Sequence, residues 1–241
     1  MKLLYYLVAI GHNNLEKKTD ILLNNLNYIY KNINEKFSIA INFYDISEDI
    51  KEKVRNLTFI EDAFFYEKKG VLTELFLTNE DINKKIPFYD YILFILDDVR
   101  IINIDIKHII EIKEKHNIEV ISPKILNSTH KCMNSGNKLT LNNLLEVFML
   151  FLTPKDFFKF CSMHTIKNKW MWAVDFLFGF YKIKAGVINI YEAKHEIRGN
   201  ACNEDEAYYL YIEYLKKYTK YDSFKAINVD YPVIYETIDD I

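Results

Sequence analysis

Tyr91-Ile92-Leu93-Phe94-Ile95-Leu96-Asp97-Asp98-Val99 decides the fold class of this chain. Six apolar or aromatic residues run without interruption into two adjacent carboxylates, and the chain turns apolar again at Ile101-Ile102. A run this rich in β-branched and aromatic side chains, with no polar face, is a strand covered on both sides. Carboxylates at the end of such a strand stand at the edge of a core, where they are costly unless something pairs with them. In an open α/β sheet that edge is also where ligands bind. Oxygen ligands fixed at a strand end suit a hard cation, Mg2+ or Mn2+, that takes one or two carboxylates and fills its shell with phosphate and water. Aspartates that merely cap a turn are the plainer alternative.

Working outward, the preceding sequence alternates strands and helices. Strands are expected at 3–10, 37–44, 58–66 and 91–96, with a last one at 119–122. Helical spacing covers 15–30, 46–56, 71–79 and 105–116. This alternation predicts an α/β fold with a mostly parallel, Rossmann-type central sheet flanked by helices. The second half changes character. Residues 127–139 read as a loop, 144–152 as a strand, and 155–164 as a helix entered through Pro154. A helix at 171–184, a strand at 186–191 and a tyrosine-rich helix at 204–218 follow, adding a small antiparallel element; the tail 221–241 packs on the surface. Linker composition is missing throughout, so residues 1–241 are expected to form a single domain with halves at 1–125 and 126–220.

Bulk properties narrow the class. At 241 residues, half of them hydrophobic, the chain can bury a full core. A net charge of −3 with lysines dispersed among glutamates gives no footprint for nucleic acid. Cys132, Cys161 and Cys202 have no paired short spacing, which fits a reducing compartment without a disulfide framework. The segment 1–10 has the apolar core of a signal peptide, but Gly11-His12-Asn13-Asn14 follows in place of a small-residue cleavage site, so it is read as a strand. No stretch approaches the roughly 20 apolar residues of a membrane span. A soluble, cytoplasmic protein is the expectation.

Two more segments carry chemistry. The only tryptophans, Trp170 and Trp172, stand just before Asp175 at the expected start of a helix. An aromatic wall beside a carboxylate suits a sugar, whose apolar ring face stacks while the carboxylate accepts a hydroxyl proton. Core packing, with Asp175 as a helix N-terminal charge, explains the same residues equally well. Beyond the expected strand at 186–191, Lys194, His195, Arg198 and Gly199 could form a loop contacting a diphosphate. Lys69, beside Gly70 and ahead of a helix, is a weaker anion contact of the same kind.

The order of these segments resembles the GT-A class of nucleotide-sugar glycosyltransferases, and most closely a family of glycosyltransferases of plants and large algal viruses. The resemblance spans roughly residues 1–200 and rests on 93–99, on Glu146-Val147-Phe148-Met149-Leu150-Phe151, on Trp172-Ala173-Val174-Asp175 and on Lys194-His195. It implies a nucleotide-binding first half and an acceptor-binding second half. It further implies a metal-dependent, inverting transfer from a nucleoside-diphosphate sugar, with UDP named by analogy, to a carbohydrate or glycan acceptor. Asp98 and His195 would hold Mn2+ or Mg2+, and Asp175 would be the general base. Ala9, Ile10, Gly11, Tyr44 and Asp45 would hold base and ribose; Asp97, Lys69 and Arg198 would complete the donor site, and Trp170 and Trp172 the acceptor site. Leu96 stands where the family has its first acid, so a donor contact is lost or passes to Asp97. A nucleotide-sugar hydrolase, a nucleotidyltransferase and a catalytically silent sugar-binding relative are the alternatives.

Overall fold

The computed structural model describes residues 1–11, 13–44, 48–128, 136–169, 171, 174–197, 206, 209–210, 212–213, 216–217 and 234–241. Ten strands form one sheet: β1 (Leu3–Ile10), β2 (Phe37–Phe43), β3 (Ile60–Tyr66), β4 (Tyr91–Ile95), β5 (Val99–Asn103), β6 (Val120–Leu126), β7 (Leu139–Asn142), β8 (Met149–Leu152), β9 (Ala185–His195) and β10 (Ile234–Ile238). The spatial order is β10-β7-β9-β6-β8-β4-β1-β2-β3, with β5 paired to β9. The helices are α1 (Leu15–Ile33), α2 (Glu48–Arg55), α3 (Leu72–Leu77), α4 (Glu80–Asn83), α5 (Ile106–Lys115), α6 (Pro154–Ser162) and α7 (Leu177–Phe180).

The α/β architecture expected from the alternation is present. In the first half β3, β2, β1 and β4 lie side by side in that order and run parallel to one another. In the second half β6 and β9 are parallel, while β8 runs antiparallel to both β4 and β6, and β7 to both β9 and β10. Both faces are covered, which is why β1 and β4 carry no polar stripe. Leu4, Tyr6, Val8, Ile92 and Phe94 enter one core with α3 and α6. Leu3, Tyr5, Leu7, Leu93 and Ile95 enter the other with α1 and α5.

Several boundaries differ from the sequence reading. Asp97-Asp98 are a tight turn, closed by Val99 N donating to Leu96 O at 3.3 Å, and the apolar residues beyond form β5. The strand expected at 144–152 begins only at Met149, and 143–148 bridges the sheet as a loop. The helix expected at 171–184 is a 3-10 turn, Val174–Phe176, followed by the four residues of α7. Lys182 adopts φ 51° and ends it, so the aromatic run was packing and not helical period. The loop expected at 127–139 gives way to β7 at its end. Residues 234–238, expected only to pack on the surface, pair with β7 as an edge strand. Most of the helix expected at 204–218 and residues 218–233 lie outside the described residues.

Two buried polar groups shape stability. Lys113 on α5 donates to Ile118 O, Glu119 O and Asp156 Oδ2 at 2.6, 2.9 and 2.7 Å, so all three ammonium protons are satisfied. His164 is different: its ring is wedged between Phe76 and Phe160 at 4.9 and 4.5 Å, with neither nitrogen hydrogen-bonded. Burial lowers its pKa to about 3. The fold therefore holds the neutral imidazole, while the unfolded chain protonates near pH 6.5. Its contribution is complete above that value and is lost as pH falls toward 3, because the unfolded state then binds the extra proton. Urea denaturation should show His164 costing about 2 kcal/mol of stability between pH 8 and pH 5. His164→Leu should remove that part of the acid limb; an unchanged acid limb would assign the loss to other groups.

Candidate donor and metal site

The site sits at the carboxyl ends of β1, β2 and β4, where the chain leaves each strand. β4 delivers Asp97 and Asp98 into the turn, and the return along β5 is what fixes Asp98. Val99 and His195 are direct partners in the antiparallel β5–β9 ladder, and Glu196 N donates to Asp98 O at 2.8 Å. Pairing of that register brings His195 Nε2 to 2.9 Å from Asp98 Oδ2. Phe148 stacks on the His195 ring at 4.6 Å, and Leu96 N donates to Phe148 O at 3.0 Å, so the loop before β8 braces both ligand candidates.

These two residues fit a divalent cation. Asp98 Oδ1 is buried with no hydrogen-bond partner, a costly state for a carboxylate unless a cation completes it. Among the described residues no group of three or more His, Cys, Asp or Glu side chains could hold a metal.

Asp97, adjacent in sequence, is engaged differently. Its Oδ2 accepts from Gly11 N at 2.8 Å and pairs with Lys18 Nζ at 2.7 Å. Burial raises the Asp97 pKa, opposed chiefly by the Lys18 charge and the Gly11 hydrogen bond. Lys18 was not a candidate from sequence; on the polar face of α1 it has the signature of a solvated lysine. Ala9 and Ile10 are buried, and the Ile10 carbonyl accepts from Tyr44 N at 3.3 Å, so neither offers a side chain to a ligand. Tyr44 stands at the end of β2, with its hydroxyl donating to Gly70 O at 2.5 Å. Burial and the nearby charges of Asp97 and Glu74 raise its pKa. Lys69 is exposed beside Gly70.

Asp175 lies in the first turn of a 3-10 helix, Val174–Phe176, directly ahead of α7, and is half-buried. Its carbonyl accepts from Leu145 N at 3.0 Å. The segment is held at its other end by Thr73 Oγ1 donating to Asn168 O at 2.6 Å. From Leu145 the chain reaches Phe148, the brace of the Asp98–His195 pair, across at most about 11 Å of extended backbone. Glu146, buried within that bridge, is a further carboxylate, which the sequence reading placed on a strand and gave no role. Asp45, Trp170, Trp172 and Arg198 lie outside the described residues.

No protein-family model matches the chain, and no curated protein matches it in sequence. Solved structures do match in fold. A structure of GalNAc-T7 with UDP, GalNAc and Mn2+ superposes with TM-score 0.61 at 8% identity, over 90% of this chain and 47% of that one. S. aureus TarS gives 0.57 at 13% identity over 96% and 46% of the two chains, and TarS 1-349 in complex with UDP gives 0.58 at 14% over 95% and 75%. The architecture is therefore the one these structures share, a GT-A-like, Rossmann-type α/β fold with a large central sheet flanked by helices. This chain spans about half the length of the first two of those proteins. No helix among the described residues is long and apolar enough to cross a membrane.

Proposed function

We propose that this chain is a metal-dependent glycosyltransferase moving a sugar from a nucleoside-diphosphate donor, a UDP-sugar, to a carbohydrate acceptor with inversion. The observation that carries the reading is the Asp98–His195 pair, a buried unpartnered carboxylate oxygen beside an imidazole at the ligand-binding edge of a GT-A-like sheet. UDP in the structures of two fold neighbours supports the choice of donor, and Mn2+ in one of them the choice of metal.

In this reading the backbone at Ala9, Ile10 and Gly11, with Tyr44 and Asp45, receives the base and ribose. Lys69 and Arg198 approach the phosphates, and Trp170 and Trp172 stack on the acceptor. Asp98 and His195 hold Mn2+ or Mg2+, which supplies charge stabilisation for the departing diphosphate. Asp175 takes the proton of the acceptor hydroxyl as its oxygen bonds to the anomeric carbon. The bond from that carbon to the diphosphate oxygen breaks, and its electron pair leaves with the nucleotide. Displacement from the face opposite the leaving group inverts the centre.

Thermal denaturation with nucleoside diphosphates and their sugars, with and without Mn2+, tests the donor assignment. UDP with Mn2+ should raise the melting temperature more than UDP alone or any other nucleotide, since a ligand that binds only the folded state stabilises it by mass action. Product analysis with a glycan acceptor should then give a new glycosidic bond. Free sugar as the sole product would make the protein a hydrolase, and no response to any nucleotide would overturn the reading.

A further inference from the structure

We infer that Lys18 keeps the resting site from binding a metal ion on its own, so that the cation enters together with the donor's diphosphate. The inference rests on the donor reading above and concerns the order in which the site is filled. Two adjacent aspartates at a strand end would ordinarily present two carboxylates to a cation. Here one is withdrawn: Asp97 Oδ2 is taken by the Lys18 ammonium at 2.7 Å and the Gly11 amide at 2.8 Å. Both side chains of that ion pair are largely shielded from water, at 12% and 16% exposure, so solvent screens the pair far less than a surface bridge.

Charge counting gives the consequence. Asp97 and Lys18 cancel, and of the two proposed ligands only Asp98 brings a negative charge, since an imidazole ligates a metal through a neutral ring nitrogen. A divalent cation there leaves the site with a net charge of about +1, which suits a diphosphate and not a second carboxylate. Without Lys18 the unpaired Asp97 would restore a second negative charge beside Asp98. The ion would then bind more tightly alone, and the completed site, being neutral, would hold the diphosphate less tightly. Lys18 therefore trades metal affinity for donor affinity. Gly11 fits this arrangement, since a Cβ at that position would stand 3.1 Å from Lys18 Nζ.

Opposite signs on two ligands separate this role from a merely structural one. Calorimetry with Mn2+ alone, UDP alone and both together would be run on the intact chain, on Lys18→Met and on Asp97→Asn. Lys18→Met should bind Mn2+ alone about tenfold more tightly than the parent, and UDP in the presence of Mn2+ about tenfold more weakly. Asp97→Asn, which can still accept from Gly11, should weaken Mn2+ binding and strengthen that of UDP without metal. If Lys18→Met shows no gain in Mn2+ affinity while its melting temperature holds, the inference fails. If it loses melting temperature, Asp97→Asn decides: unchanged or tighter Mn2+ binding there overturns the inference. Should the Mn2+ arm behave as stated while no nucleotide binds any variant, the donor reading falls and the charge balance between Lys18 and Asp97 stands.

Discussion

Asp98→Ala should abolish Mn2+-dependent binding of UDP, and sugar transfer should fall at least about a hundredfold. Metal-free stability should stay within about 1 kcal/mol of the parent, and this second readout makes the first informative. A carboxylate placed for structure would have both oxygens satisfied, and truncating it would expose partners to an unmade bond. Asp98 has one buried oxygen with no partner and another shared with His195. Its removal relieves one unfavourable burial while costing one hydrogen bond, so the two nearly offset in the apo protein. Calorimetric titration of UDP with and without Mn2+, beside a urea denaturation curve, reads both quantities. Metal-dependent binding that survives in Asp98→Ala would remove this residue from the proposed metal site. A large loss of apo stability would make it structural.

The second large effect falls on turnover and leaves binding alone. Asp175→Asn keeps the shape of the side chain and removes its capacity to take a proton, so kcat should fall about 10²- to 10⁴-fold with donor affinity unchanged. The 3-10 turn that carries Asp175 is anchored through main-chain atoms, Leu145 N to Asp175 O among them, so the amide leaves this anchor intact. Initial rates with a glycan acceptor, beside UDP calorimetry on the same preparation, separate the two parameters. Wild-type turnover in Asp175→Asn would require a different base, and Glu146, buried in the adjoining bridge, would be next to test.

The sequence was most legible where burial is two-sided. β1 and β4 declare themselves because both faces meet a core, and the aspartates after β4 inherit a position from that strand. Asp98 and His195 could be paired only through the order of motifs, and the β5–β9 register is the physical reason they meet. Less was readable where elements are short or where packing imitates periodicity. β7 has four residues, two of them the polar Thr140 and Asn142, and so looked like the end of a loop. Phe176, Leu177, Phe178 and Phe180 gave a helical spacing across 171–184, yet they are held in a turn and a single short helix. Lys18 was invisible for another reason. A lysine on a polar helix face reads as solvated unless its partner is known, and Asp97 reaches it only once β1 and β4 have paired.

The β5–β9 ladder gives the chain an uneven tolerance to length change. Because Val99 faces His195 across that ladder, the ligand pair is indexed by strand position, as teeth on two racks are. A residue inserted or deleted at the end of the ladder where Val99 to Ile101 face His195 to Ala193 would turn one of the two side chains to the opposite face of the sheet. An insertion at the exposed Asn117, in the turn that follows α5 and away from this rack, would leave the index untouched. Variation in chain length among homologues should therefore collect in the connections and be excluded from the end of the ladder that sets this pair, while the identities of many residues elsewhere change freely.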